Sequence, residues 1–131
     1  MRTAPYTPKK SLGQHFLHDR NIARNIVAQL DPQPGETVLE IGPGPGVLTS
    51  LLADTGCRLI AADIDQRAVE TLRGMFPVET YPLVHPLHAD ILSVDLRTLT
   101  AEYGGPLRVI GNLPYNITSQ ILFHIFDQPE T

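Results

Sequence analysis

The stretch Glu40-Ile41-Gly42-Pro43-Gly44-Pro45-Gly46 follows a short apolar run and precedes a run of helix-forming residues. Glycines at alternate positions let the backbone turn sharply and approach a ligand without a Cβ clash. The two prolines between them stiffen the turn because each fixes its own φ. Open α/β sheets bind ligands outside the carboxyl ends of their strands. The stretch therefore predicts a ligand-binding loop that joins a strand to a helix, with a plain structural turn as the alternative.

The spacing of the glycines decides between two kinds of cofactor. A dinucleotide fingerprint needs Gly-x-Gly-x-x-Gly, which places a pyrophosphate at the helix N-terminus. Counted from Gly42 or Gly44, the third glycine would fall on Val47 or Thr49, so the pattern fails in both registers. Glu40 would repel a pyrophosphate but can accept a hydrogen bond from an amino group or water. The pattern Glu-x-Gly-x-Gly-x-Gly resembles the first motif of class I methyltransferases, whose cofactor S-adenosylmethionine has an amino group, a cationic sulfonium and no phosphate.

Short apolar runs alternate with helix-like segments along the chain, which predicts an α/β fold with a parallel sheet and helices on both faces. We expect four strands, at Thr37–Ile41 and at residues 58–62, 81–85 and 107–110. The expected helices cover residues 19–30 with Asp19 as cap, 47–55, 66–76 with Asp65 as cap, Leu96–Tyr103 and Thr118–Phe126. The sequence stops after the fourth strand and its following helix, so we expect a truncated Rossmann-like domain from a longer protein.

Acidic residues follow the second and third predicted strands. Asp63 ends the second strand and can hold both ribose hydroxyls of a nucleoside, although a solvated carboxylate is the alternative. Asp65 is better explained as a helix cap. Asp90 can accept from the amino group of the cofactor's adenine, and Ile64 and Ile91 can sandwich the ring. These residues and the glycine-rich loop are expected to meet at one edge of the sheet.

The fourth predicted strand leads into Asn112-Leu113-Pro114-Tyr115 at the same edge. An exocyclic adenine amine is a poor nucleophile because its lone pair is delocalised into the ring. The Asn112 amide oxygen and a backbone carbonyl at 113 or 114 can accept its two N–H bonds, which orients the nitrogen and favours sp³ character. Tyr115 offers a flat face to an extruded base, worth roughly 1–3 kcal/mol. Taken in isolation, the tetrapeptide would be only a turn.

Two segments carry a resemblance to one family. Asn-Leu-Pro-Tyr is similar to the Asn/Asp-Pro-Pro-Tyr motif of amino-group methyltransferases, and Leu113 is the form seen in the rRNA adenine dimethyltransferases. The stretch Lys-Ser-Leu-Gly-Gln-His-Phe-Leu at residues 10–17 resembles the N-terminal motif of that same family. The resemblance implies that Gln14, His15 and Leu17 line the methionine end of the cofactor and that Phe16 packs near the base pocket. Some members have Asn where this chain has His15. His15 adds a titratable group at this position.

The resemblance runs from about residue 9 to residue 126 and is closest to the housekeeping branch of the family. It implies transfer of methyl groups from S-adenosylmethionine to N6 of two adjacent adenosines near the 3′ end of small-subunit rRNA. Members continue with further strands and a helical C-terminal domain that helps to grip RNA. Three alternatives stay open: a large-subunit rRNA adenine methyltransferase, a non-catalytic RNA-binding or ribosome-assembly factor, and a methyltransferase for glutamine or small amines. The last does not explain residues 14–17.

A basic arm precedes an acidic body. The chain has a net charge of −4, yet residues 1–24 carry +4, since only Asp19 opposes the basic residues Arg2, Lys9, Lys10, Arg20 and Arg24. Such an arm can hold a phosphate backbone while the average charge stays acidic, although a merely solvated leader explains the charge equally well. We divide the chain into an arm at residues 1–18 and a partial methyltransferase domain at residues 19–131.

Composition excludes several other classes of protein. A hydrophobic share of 42% and a charged share of 18% are typical of a globular domain, and no apolar run is long enough for a membrane helix. The single cysteine, Cys57, excludes an intramolecular disulfide and fits a reducing cytosol. His85 and His88 flank Pro86 and have no third ligand nearby, so no metal site is expected. We expect a cytoplasmic monomer whose partner is the small ribosomal subunit.

Overall fold

The computed structural model describes residues 20–104, 106–115 and 118–126, with backbone only at 92, 112–115 and 118–126. None of the described helices is both long and apolar enough to cross a bilayer. In chain order the elements are α1 (Arg20–Leu30), β1 (Thr37–Ile41), α2 (Val47–Ala53), β2 (Arg58–Asp63), α3 (Gln66–Met75), β3 (Val84–His88), a 3₁₀ turn (Ile91–Ser93), α4 (Leu96–Tyr103), β4 (Leu107–Tyr115) and β5 (Thr118–Phe126).

The strands form one sheet in the order β3-β2-β1-β4-β5. The first four strands are parallel, and β1 lies between β2 and β4. The last residue of β1, Ile41, pairs with Ala62 of β2 and Gly111 of β4; β2 ends one residue later, at Asp63, whereas β4 continues to Tyr115. The predicted parallel α/β sheet is confirmed, and its carboxyl edge is the edge that carries the glycine-rich loop.

Helices cover both faces of the sheet, as predicted. Alternate residues of β2 point to opposite faces, so Leu59 joins the core beneath α1, α2 and α3, and Ile60 joins the core beneath α4. The strands are apolar on both faces because both are covered. Cys57, directly before β2, is a buried member of the first core, as its small apolar character suggests.

Two helices begin at aspartate caps. The Asp65 carboxylate accepts a hydrogen bond from the Arg67 backbone N–H at 2.9 Å at the start of α3, which confirms the predicted cap. Asp95 makes the equivalent contact with Arg97 at the start of α4, also at 2.9 Å. The proposed cap of α1, Asp19, lies outside the described residues.

The third strand lies three residues later than the sequence pattern predicts. Tyr81 instead ends one turn and begins another: its N–H donates to the Pro77 carbonyl at 2.8 Å, and its carbonyl accepts from the Val84 N–H at 3.1 Å. The Tyr81 ring packs edge-on against Phe76. The strand then runs through Pro86, which is tolerated because β3 lies at the edge of the described sheet. The second of these turns occupies the apolar residues that the pattern assigned to the strand.

The prediction of a helix over Thr118–Phe126 is wrong, because these residues form β5. They pair antiparallel with the whole of β4, from Leu107 opposite Phe126 to Tyr115 opposite Thr118. The segment is rich in β-branched and aromatic residues, which suit a strand as well as an apolar helix face. The side of β4 that faces away from β1 supplies the pairing groups, so tertiary context decides the conformation. The sheet therefore has a fifth strand in the place of the expected closing helix.

Candidate functional site

The glycine-rich loop joins β1 to α2. Its first residue, Gly42, donates its N–H to the Ala62 carbonyl at 2.9 Å, which continues the contact between β1 and β2 by one step. All three glycines have positive φ, with values of 69° at Gly42, 57° at Gly44 and 90° at Gly46. A Cβ at Gly46 would lie 3.1 Å from the Leu72 side chain of α3. The loop thus needs glycine both for its backbone angles and for the close approach of α3.

Glu40 is buried directly beneath this loop. Its exposed fraction is 2%, and its Oε1 accepts a hydrogen bond of 2.6 Å from the Thr49 hydroxyl in α2. Burial raises the pKa of Glu40 to about 7; the Thr49 hydrogen bond lowers the pKa, and the nearby Asp63 charge raises it. A fully desolvated carboxyl with a perturbed pKa at the edge of a sheet is typical of a ligand-binding group.

Asp63 reaches the loop from the end of β2. Its exposed fraction is 8%, its Oδ1 accepts from the Asp65 N–H at 2.8 Å, and its Oδ2 lies 3.5 Å from the Gly44 nitrogen. The last distance is long for a hydrogen bond, so that oxygen is weakly held and can be exchanged for a ligand hydroxyl. The structure thus brings together the second-strand acid and the glycine-rich loop.

Ile64, next to Asp63, has an exposed fraction of 67%, which is high for a large apolar side chain. Its carbonyl oxygen lies 3.0 Å from Nε2 of His88, the last residue of β3. A carbonyl only accepts, so Nε2 carries the proton in this contact. A second tie joins the same two strand ends, since the Ala89 N–H donates to the Asp63 carbonyl at 3.0 Å. The ends of β2 and β3 therefore hold Ile64 in place.

Asp90 and Ile91 follow β3 at the same edge. The exposed residue Asp90 accepts the Ser93 N–H at its backbone carbonyl, at 2.8 Å, and Ile91 begins the 3₁₀ turn with its side chain half-buried. The later end of β3, at His88, brings Asp90 within two residues of the strand terminus. Both residues thus lie beyond a carboxyl strand end, as predicted.

Asn112, Leu113, Pro114 and Tyr115 form the last four residues of β4. The predicted end of the fourth strand at residue 110 is wrong, since these residues continue the strand and pair with β5. The pairing of β4 with β1 ends at Gly111, so these four positions extend beyond the carboxyl end of β1, on the side of the sheet where the glycine-rich loop lies. The extended conformation is maintained by β5, which pairs with β4 beyond the reach of β1.

Three residues assigned to the methionine end of a cofactor, Gln14, His15 and Leu17, lie outside the described residues, as does the whole arm at residues 1–18. Within the described part of the chain, no group of three His, Cys, Asp or Glu side chains is arranged to hold a metal ion. His85 instead packs against the Tyr103 ring, with centroids 5.1 Å apart.

Comparison with known proteins assigns the chain to a family. The profile described as "Ribosomal RNA adenine dimethylase" matches residues 6–131. The chain belongs to the ribosomal RNA adenine dimethylase family. The resemblance seen in the two sequence motifs is thereby confirmed.

Curated relatives in the dimethylase family carry the name "Ribosomal RNA small subunit methyltransferase A". One from Salinibacter ruber is 48% identical over 95% of this chain and 40% of the relative. Another, from Leptothrix cholodnii, is 42% identical over 94% of this chain and 44% of the relative. The chain therefore spans less than half the length of these two relatives.

A solved structure supports the fold. The crystal structure of a dimethyladenosine transferase from Plasmodium falciparum matches 72% of this chain and 42% of that chain, with a TM-score of 0.56 at 18% identity. At this identity the similarity concerns the fold, which is the class I methyltransferase fold that the first motif predicts.

Sequence reasoning missed two contacts at this edge of the sheet. The sequence marked Thr49 only as a position where the dinucleotide pattern lacks its glycine. It marked His88 only as a residue that does not form a metal site. The signal for Thr49 was available, because a hydroxyl in the first turn of the helix after the loop can reach back to the strand before it. The signal for His88 was not available, because the contact depends on which strand lies beside β2.

Proposed function

We propose that this chain carries the S-adenosylmethionine pocket and the target-base edge of an rRNA adenine-N6 dimethyltransferase. The observation that carries the proposal is the meeting of the glycine-rich loop with two buried carboxyls, Glu40 and Asp63, on the side of the sheet where β4 extends beyond β1. That juxtaposition unites a pocket for an amino acid linked to a nucleoside with a second surface at which a base can be presented.

The residues present fit S-adenosylmethionine. Among the described residues, no basic side chain contacts Glu40 or Asp63, which favours a ligand with an amino group and hydroxyls over one with phosphates. Glu40 would accept from the amino group and Asp63 from the ribose hydroxyls, while the exposed Ile64 side chain offers an apolar face to the adenine ring. When bound, the cofactor supplies an electrophilic methyl group. The further cofactor-binding assignments are Gln14, His15, Leu17, Gly42, Gly44, Gly46, Asp90, Ile91 and Asn112.

The base-binding edge is assigned to Asn112, Leu113, Pro114 and Tyr115. The Asn112 amide oxygen and a backbone carbonyl at 113 or 114 accept the two N–H bonds of the adenine amine, which makes the nitrogen lone pair available for attack. Tyr115 stacks on the extruded base. No ionised base is needed, because the proton can leave to solvent after the methyl group has been transferred.

The substrate proposed is small-subunit rRNA, at two adjacent adenosines near its 3′ end. The names of the curated relatives and the net charge of +4 over residues 1–24 support an RNA substrate. An arm of this charge would contact phosphates, and its contribution to affinity should fall as salt rises.

The test is transfer of labelled methyl groups from S-adenosylmethionine to unmodified small ribosomal subunits, with the methylated adenines mapped. We expect Asn112→Ala to lower the initial rate by about 100-fold, as for other lost transition-state hydrogen bonds. Tyr115→Ala should lower it by roughly 10- to 100-fold through lost stacking. Asn25→Ala, an exposed asparagine on α1, is the matched control and should retain full activity.

Full activity in both site variants would contradict the roles assigned to Asn112 and Tyr115. Cofactor binding without methyl transfer to any rRNA would favour the non-catalytic assembly factor instead. Label in large-subunit rRNA would move the protein to the other branch of the family.

A further inference from the structure

The Thr49 hydroxyl is committed to a single carboxyl group. Its Oγ1 lies 2.6 Å from Glu40 Oε1, within the range of short O–H···O⁻ hydrogen bonds. Thr49 has an exposed fraction of 0%, so water does not compete for the contact. The bond joins the helix after the glycine-rich loop to the strand before it. It therefore fixes the Glu40 carboxyl relative to the loop.

Among the described residues, no cation stabilises the ionised form of Glu40. Asp63 on β2 is the charged group that acts on Glu40, and it has the same sign. The strand neighbours of Glu40 are Ala61 of β2 and Ile110 of β4, which carry no charge. Burial and Asp63 both raise the pKa of Glu40, to about 7, and the Thr49 hydrogen bond is the cause that lowers it. Within the described part of the chain, Thr49 is thus the group that favours the ionised form.

We propose that Thr49 is a positioning residue that holds the Glu40 carboxylate in one orientation beneath the glycine-rich loop, ready to accept from the cofactor's amino group. This inference rests on the proposed cofactor pocket. By occupying Oε1, the hydroxyl leaves Oε2 as the acceptor for the ligand. A preoriented acceptor does not have to lose rotational freedom when the ligand binds.

The arrangement couples binding of the cofactor's amino group to loss of a proton from Glu40. A neutral carboxyl gains little from a cationic ammonium group, so binding near neutral pH requires that Glu40 release its proton to the buffer. The Thr49 hydrogen bond favours that release because it stabilises the carboxylate. Removing the hydroxyl should therefore weaken binding most where Glu40 is still largely protonated, and shift the pH dependence of binding upward.

The experiment titrates the purified protein with S-adenosylhomocysteine by calorimetry between pH 6 and pH 7.5, where the ligand's α-amino group is mostly protonated. We expect Thr49→Val to weaken binding about tenfold at pH 7, in line with the loss of a charge-assisted hydrogen bond. Thr49→Ser, which keeps the hydroxyl, should bind within about twofold of the wild type. Thr100→Val is the matched control, since Thr100 is also buried but donates to the Arg97 carbonyl in α4, away from the loop.

A double-mutant cycle with Glu40→Gln separates positioning from general packing. If Thr49 acts through Glu40, adding Thr49→Val to Glu40→Gln should weaken binding little further. The rise in affinity between pH 6 and pH 7 should vanish in both proteins that carry the Glu40→Gln substitution. Thr49→Ala, which also lacks the hydroxyl, carries the same expectation if Thr49→Val does not fold.

Wild-type affinity in Thr49→Val, or an equal loss from it in both backgrounds of the cycle, would overturn the inference and leave the proposed function standing. Absence of binding by the wild type would overturn the proposed cofactor pocket itself, and the inference with it.

Discussion

The polar groups at the amino end of β1 are paired with one another, whereas those at its carboxyl end are not paired with a cation in the part of the chain that the structure describes. At the amino end, charges and carbonyls are paired with one another: Arg108 lies 3.0 Å from Glu36, and the Tyr103 carbonyl accepts from both Arg58 and Thr37. At the carboxyl end, the described side chains place Glu40 and Asp63 together with no cation beside them. The amino end is neutralised within the chain, whereas the carboxyl end keeps two acids that we propose to be paired by a ligand. Substitutions near the amino end of β1 should therefore change mainly the free energy of unfolding, and substitutions near its carboxyl end mainly ligand affinity.

The largest effect should come from the pH dependence of Glu40. Its pKa is about 7 in the folded chain against an ordinary value of 4.5, because burial disfavours the charge. The folded chain binds this proton more tightly than the unfolded chain, so the stability contributed is fullest below pH 4.5 and is lost as pH rises towards 7. One pKa unit corresponds to about 1.4 kcal/mol, so the loss is on the order of 3 kcal/mol.

Urea unfolding at pH 4.5 and pH 7.5 checks this prediction. The free energy of unfolding of Glu40→Gln, relative to the wild type, should rise between the two pH values by an amount of that order. Asp95→Asn supplies a control that should show little change between these pH values, because the Arg97 hydrogen bond lowers the pKa of the exposed Asp95 below its ordinary value of 3.8, so its contribution is already nearly complete at pH 4.5. Equal changes in wild type and Glu40→Gln would show that Glu40 does not titrate in this range.

Asp63→Ala should give the next largest effect, on ligand affinity. Loss of charge-assisted hydrogen bonds to the ribose hydroxyls is worth about 1.5–3 kcal/mol, so affinity for S-adenosylhomocysteine should fall by roughly 100-fold. Calorimetry at pH 7 measures it. Asp95→Ala removes a carboxylate from a helix cap outside the site, and should lower stability without changing affinity. A loss of less than about threefold in Asp63→Ala would remove Asp63 from the pocket.

The smallest effect should come from the paired amino end. Arg108→Met removes a partly buried ion pair with Glu36 and should lower the free energy of unfolding by about 1 kcal/mol, with ligand affinity unchanged. Arg97→Met removes an exposed pair with Asp95 and should change stability less than Arg108→Met does, because solvent screens the exposed pair. Chemical unfolding and calorimetry on the same samples measure both quantities. A marked fall in affinity for Arg108→Met would break the division between the two ends.

The sequence correctly predicted those elements whose conformation depends on residues that are close together in the chain. β1 has the predicted bounds, α4 does too, and the glycine-rich loop lies where the alternating glycines required it. Asp63 was correctly expected beside that loop, because parallel strands bring their carboxyl ends to one edge. In each case the pattern, the cap or the turn chemistry agreed with the global fold.

The wrong predictions concern segments whose conformation depends on contacts with other parts of the chain. Ile121, Leu122, Ile125 and Phe126 suit one face of a helix by spacing, yet the open side of β4 draws the segment into a strand. The start of β3 shifted because Tyr81 is held in a turn by Pro77 and Phe76. The contact between His88 and the Ile64 carbonyl required knowledge of strand order, which no single-sequence pattern contains.

Pro86 has a consequence for how copies of this protein behave in solution. The hydrogen bonds at the two ends of β3, to the Leu83 carbonyl and from the Ala89 N–H, direct the odd-numbered residues towards β2. Successive residues alternate, so Pro86 faces the outer side of the strand, where it offers no N–H. A foreign strand cannot complete a ladder across that gap. The β3 margin of the sheet is thereby protected against edge-to-edge aggregation.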